Sequence, residues 1–215
     1  MTNSIIGIFG GTFDPIHHGH LQCALYVQQH CQLTQLRLMP SHLPPHRETP
    51  GVSAEHRAAM VELAIKPYPQ LALERLELEQ QRPSYTADSL LQLKQRYHHS
   101  TLAFVIGMDS LCYLTRWYHW QQILQSAHLL VCRRPGYSQQ QGDAPLLLQQ
   151  YGTDDLSLLS RKSAGHIMLL DNPLQNISAT GLRQQLADPA SQPATISHAV
   201  LNYIRQHKLY QGQTL

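Results

Sequence analysis

Between residues 10 and 20 the chain reads Gly10-Gly11-Thr12-Phe13-Asp14-Pro15-Ile16-His17-His18-Gly19-His20, and these residue types at this spacing suit the handling of phosphate. The apolar run Ser4-Ile5-Ile6-Gly7-Ile8-Phe9 ahead of it predicts a buried parallel strand that ends at the glycine pair. Glycines there let the backbone approach a ligand, and a helix starting just beyond would aim unpaired N–H groups at an anion. On a helical first turn His17 and His20, three apart, share a face, and Gly19 keeps bulk away from whatever they touch. Two histidines on one face are also half of a metal site, and a bare Gly-Gly after a strand is common. What singles this stretch out is strand, Gly pair, Thr12, Asp14 and His-x-Gly-His in fixed order.

Gly-Gly-Thr-Phe-Asp-Pro followed by His-x-Gly-His resembles the signature of the nucleotidylyltransferase superfamily. Its members join a nucleotide to a phosphorylated acceptor and release pyrophosphate. A second signature expected toward the C-terminal end is present as Ile177-Ser178-Ala179-Thr180-Gly181-Leu182-Arg183. There Ser178 can cap a helix whose first N–H groups face an anion, and Arg183 offers a planar fork to phosphate oxygens. Alone, such a helix start is an ordinary cap with a solvated arginine; its pairing with the first motif gives it weight. The two signatures are far apart in sequence, so the fold must bring them together around one triphosphate.

The acceptor is suggested by Pro44-Pro45-His46-Arg47, which resembles a segment of the bacterial nicotinate-mononucleotide adenylyltransferases. Further matches are Pro83-Ser84-Tyr85-Thr86, Ile106-Gly107-Met108-Asp109-Ser110, Trp117-Tyr118 and Arg133-Arg134-Pro135-Gly136. The resemblance implies a catalytic trio of His17, His20 and Arg183. It implies ATP contacts from Gly10, Gly11, Thr12 and Phe13, from Gly107 and Asp109, and from Ile177, Ser178 and Thr180. Acceptor contacts would come from Asp14, His46, Arg47 and Arg134, with Trp117 packing on the pyridine ring and Tyr85, Thr86 and Tyr118 nearby. Asp109 would accept from the adenosine ribose. Mg²⁺ would arrive on the ATP phosphates, with no protein metal cage. The implied partners are ATP and nicotinate mononucleotide, and the product is deamido-NAD.

Composition narrows the classes. The 215 residues suffice for one substantial α/β domain spanning 1–215, and no apolar run is long enough to cross a bilayer. No secretory segment is evident at the start, so a cytoplasmic location is expected. A net charge of +2 does not support a broad nucleic-acid surface, so phosphate binding must be local. Cys23, Cys31, Cys112 and Cys132 lack C-x-x-C spacing and read as small buried hydrophobes. Fourteen histidines invite a metal hypothesis, but no Cys/His set has zinc-finger spacing and no His-Glu-x-x-His occurs.

The elements that must position these residues alternate between strand and helix, which predicts a Rossmann-like, doubly wound, mainly parallel sheet with a small helical C-terminal section over about 178–215. Strands are expected at 4–9, 35–39, 71–73, 102–107, 128–132 and 166–170. Helices are expected at 21–30, 54–66, 85–97, 117–126, about 146–151, 179–187 and 196–207, with little pattern elsewhere between 138 and 165. In such sheets the ligand lies beyond the carboxyl ends of the strands, near the switch in strand order. Gly10, the Pro44–His46 loop, Gly107, Asp109 and Ser178 all fall on that edge. Rival readings are a phosphopantetheine adenylyltransferase, a nicotinamide-preferring enzyme, a nucleotide sensor and, last, a metal-binding protein. The first commonly carries Thr where His17 stands, and a sensor has no need of His17, His20, Thr180 and Arg183 together.

Overall fold

The computed structural model describes residues 4–42, 51–80, 84–175 and 177–211. Along the chain lie β1 (Ser4–Gly11), α1 (His18–His30), β2 (Gln35–Pro40), α2 (Ala54–Ile65), β3 (Leu71–Leu73), α3 (Thr86–Arg96) and β4 (Ser100–Gly107). Next come α4 (Met108–Leu111), a 3₁₀ turn (Leu114–Arg116), α5 (Trp120–Ser126), β5 (His128–Cys132), α6 (Ala144–Tyr151), α7 (Leu158–Arg161), β6 (Ile167–Leu170), α8 (Ala179–Leu186) and α9 (His198–Gln206).

The six strands form one sheet in the order β3-β2-β1-β4-β5-β6, every pairing parallel. Strand order reverses between β1 and β4, so a crevice opens beyond their carboxyl ends. The strands bury both faces, and their alternation sorts side chains into two cores. Ile5, Ala103, Val105, Leu130 and Cys132 pack with α1, α2, α8 and α9 through Leu21, Ala24, Val61, Leu182 and Val200. Ile8, Leu102, Phe104, Ile106, Leu129 and Val131 pack with α3, α5 and α6 through Leu90, Leu93, Ile123 and Leu147. Each face of the sheet therefore carries its own helical layer, as the alternation of elements predicts.

Several boundaries differ from the sequence reading. The first helix begins at His18, a turn earlier than expected, which leaves His17 as its N-cap in extended conformation. The helix expected from Trp117 begins at Trp120; Trp117 is extended (φ −76°, ψ 144°) and comes directly after the 3₁₀ turn. The stretch 138–165 holds α6, longer than expected, and the short α7, whose Leu159 is fully buried. The cysteines are free; Cys31, Cys112 and Cys132 are buried, and Cys23 Sγ of α1 lies 3.3 Å from Cys132 Sγ of β5. Among the described residues no helix is long and apolar enough to cross a membrane.

Candidate active site

The β1–α1 turn is shaped by sterics at two positions. Phe13 sits in the left-handed region (φ 49°) with its ring buried, edge-on to Phe9 at 5.7 Å and to His20 at 5.1 Å between centroids. A Cβ on Gly11 would come within 2.9 Å of that ring, so only glycine fits beside it. The ring of Phe13 belongs to the core. The next peptide bond, Asp14–Pro15, is cis.

His17 and His20 stack, with centroids 3.7 Å apart and planes at 24°. The N–H of His17 donates to Nδ1 of His20 at 3.3 Å, which leaves the His20 proton on Nε2, pointing away from the turn's own backbone. Burial, reinforced by the charge of His18, pushes His17 down to about 4. Burial also holds His20 well below the ordinary histidine value, with His17 and Arg134 adding to the effect. Both rings are neutral at pH 7. His17 Nδ1 is buried and, among the described residues, without a hydrogen-bond partner. A Cβ on Gly19 would approach that nitrogen to 3.1 Å, so the glycine keeps the space open.

The C-terminal signature reaches the same turn. Ser178 caps α8 by accepting from the N–H of Gly181 at 3.3 Å, which uses the poor helix former productively. One turn on, Arg183 Nη1 donates to the carbonyl of Asp14 at 3.0 Å and its Nη2 to Thr180 Oγ1 at 3.2 Å. The start of α8 is thus joined, through Arg183, to the turn that carries His17 and His20. Tyr210 closes the turn from behind, its hydroxyl donating to the buried Asp14 carboxylate at 2.6 Å.

On the β4 side of the crevice, Arg134 Nη1 lies 2.7 Å from Asp109 Oδ2. The resemblance gives these two residues to different substrates; the structure pairs them. Asp109 Oδ1 is buried and unpartnered among the described residues, free to accept from a hydroxyl. A Cβ on Gly107 would run into it. Because Arg134 acts electrostatically on His20, this group adjoins the histidine turn.

Tyr85, the N-cap of α3, and Tyr118 meet at 4.6 Å between ring centroids, bringing the head of α3 to the segment after the 3₁₀ turn. Tyr118 is exposed, Thr86 begins α3, and Trp117 packs half-buried against the second core. Among the described residues no ring contact or hydrogen bond joins this group directly to the histidines. His46 and Arg47, with Pro44, Pro45 and Pro83, lie outside the described residues.

Two participants escaped the sequence reading. Tyr210 stands beyond the last helix and carries no local signal. Arg57 is 1% exposed on α2, and its guanidinium donates to the carbonyls of Thr12 (2.7 Å), Ser41 (2.6 Å), His42 (3.3 Å) and Val52 (3.3 Å). Its signal was available: Ala54, Arg57, Val61 and Ala64 fall on one helical face, all buried, and a cation there needs partners.

The cytidylyltransferase-like family matches the chain over residues 8–185. A probable nicotinate-nucleotide adenylyltransferase from Aeromonas salmonicida (strain A449) is 43% identical over 216 residues, covering 99% of this chain and all of the relative. One from Shewanella frigidimarina (strain NCIMB 400) is 41% identical over 96% of this chain and 99% of its own length. In fold, the chain is similar to the Plasmodium falciparum nicotinic acid mononucleotide adenylyltransferase complexed with NaAD, with a TM-score of 0.73 at 19% identity, covering 96% and 97% of the two chains.

Proposed function

The chain belongs to the cytidylyltransferase-like family and is related over its whole length to nicotinate-nucleotide adenylyltransferases, and from that premise we infer that it transfers the AMP moiety of ATP to nicotinate mononucleotide in NAD biosynthesis. The products are deamido-NAD and pyrophosphate. The observation that supports the reading is the hydrogen bond from Arg183 to the Asp14 carbonyl, which joins the two signature stretches beside His17 and His20.

An oxygen of the acceptor's phosphate attacks the α-phosphorus of ATP; that P–O bond forms while the bond to the bridging oxygen of pyrophosphate breaks. The nucleophile is already an anion at neutral pH, so no strong base is required. The site has to align two mutually repelling phosphates and stabilise charge on the leaving group. His20, with its proton held on Nε2, donates to the phosphate oxygens around the reacting phosphorus, and His17 stacks behind it and adds a second donor. Being neutral in the free protein, these rings cost little to bury, and approaching phosphates favour their protonation. The Thr12 region, the first turn of α8 and the free fork edge of Arg183 hold the remaining phosphates.

Asp109 accepts from the adenosine ribose through its unpartnered Oδ1 and orients Arg134 through Oδ2. Trp117 and Tyr118 flank the acceptor ring, and donors at the head of α3 near Tyr85 and Thr86 meet its carboxylate. A Mg²⁺ accompanying ATP would be held by phosphate oxygens and water rather than by a cage of side chains. Such an ion would supply neutralisation of the charge on the departing pyrophosphate.

The test is a substrate panel with the purified protein, ATP and Mg²⁺, scored by pyrophosphate release. Nicotinate mononucleotide should be the preferred acceptor, ahead of nicotinamide mononucleotide and phosphopantetheine. Release with phosphopantetheine alone, or tight ATP binding with no release on any acceptor, would overturn the assignment.

A further inference from the structure

We propose that Arg57 is a positioning residue that sets the phosphate-binding turn after β1 and the exit of β2 against one another. The proposal rests on the adenylyltransferase reading for its kinetic consequence only.

Arg57 is 1% exposed, so its side chain offers almost no surface of its own. Its three donor nitrogens reach chain segments that come from different elements. Nη1 takes the carbonyl of Thr12, in the middle of the first signature. Nη2 takes those of Ser41 and His42, just after β2, and Nε takes that of Val52, just before α2. Ser41 and Val52 flank the stretch that carries His46 and Arg47. A second bond ties the same segments together, from the Ser41 N–H to the Gly11 carbonyl at 2.9 Å.

Core filling alone does not account for a guanidinium here. The other residues on that face of α2 are apolar, and a buried cation is costly unless every donor is used. Among the described residues Arg57 forms no ion pair with a carboxylate, so backbone carbonyls are what it is fitted to. A planar fork fixes the angle between its acceptors, which a single ammonium does not. By holding the Thr12 carbonyl inward, it also turns the N–H of the same peptide unit, that of Phe13, the opposite way. One buried side chain thereby defines the attitude of the turn that carries the histidines relative to the β2 exit.

Arg57→Lys tests this, with Arg57→Met as a variant lacking any donor. The lysine variant should fold, keep its KM for ATP within about threefold, and lose roughly 10- to 100-fold in kcat, because misplacement of reacting groups is felt in turnover. Hydrogen exchange should quicken together in peptides covering 10–16, 38–42 and 51–54, with β4 and β5 unaltered. Should neither variant fold, the wild type still decides. A non-hydrolysable ATP analogue alone should slow exchange at 51–54 as well as at 10–16. Wild-type kcat in a folded lysine variant, or protection by the analogue confined to 10–16, overturns the proposal. A wild type that releases no pyrophosphate would sink the adenylyltransferase reading instead and leave the exchange result to judge Arg57.

Discussion

The backbone N–H of His17 holds the ring of His20 by its Nδ1, at 3.3 Å, while the His17 ring stacks upon it. One residue thus selects the tautomer of the other and limits its rotation. The proton left on Nε2 is the one available to a phosphate oxygen.

If His20 works by donating to charge that grows in the transition state, His20→Ala should lower kcat by on the order of 10²–10³ and change KM for ATP far less. Steady-state kinetics on the purified variant decide this. Near-normal turnover would remove the role.

Two buried histidines and one buried carboxyl should shape the pH dependence of stability in opposite senses. His17 falls from 6.5 to about 4 on folding, so the unfolded chain binds the extra proton and stability drops as pH falls from 6.5 toward 4. His20 acts in the same direction. Glu77 is buried, accepts from Ser89 Oγ at 2.8 Å, and is pushed up by burial from 4.5 to about 7. Its contribution is present below 4.5 and is lost as pH rises through 7. For His17 and for Glu77 the effect is at most on the order of 3 kcal/mol. Urea denaturation from pH 4 to 8.5 should find His17→Asn flattening the acid limb and Glu77→Gln flattening the alkaline one. Limbs unchanged in these variants would refute both attributions.

Tyr210→Phe removes one hydroxyl and leaves the Asp14 carboxylate buried without its donor. The expected cost is about 1–3 kcal/mol, which in a chain of this size is a fall in Tm of roughly 2–10 °C. Scanning calorimetry measures it, and an unshifted Tm would mean that water replaces the phenol without penalty.

Trp117 is half-buried at the edge of the second core, on the segment that ends in Tyr118. Trp117→Ala should raise the KM for nicotinate mononucleotide while ATP binding is retained. Parallel loss of both affinities would mark the ring as packing alone.

Much of this was legible in advance. All six strands and the helices bearing both signatures are evident from apolar runs, because strands buried on both faces leave a continuous signal. Trp117 was misplaced on a helix because its neighbours have helical composition, whereas the 3₁₀ turn before it redirects the chain. Pairing of Asp109 with Arg134 was not legible, since it depends on how α4 and the segment after β5 meet. Tyr210 was invisible for a similar reason: its partner is 196 residues away. Arg57 could have been noticed, as a charge on an apolar helical face is a local anomaly.

The turn bearing the histidines is finished only by residues far along the chain: Thr180, Arg183 and lastly Tyr210. During synthesis, a ribosome-bound chain that has already laid down β1 and α1 still lacks the partners that fix its turn. On this architecture the turn gains its last hydrogen bond only once residue 210 has cleared the exit tunnel, and a product stopped short of Thr180 carries both imidazoles without the guanidinium that ties down the Asp14 carbonyl.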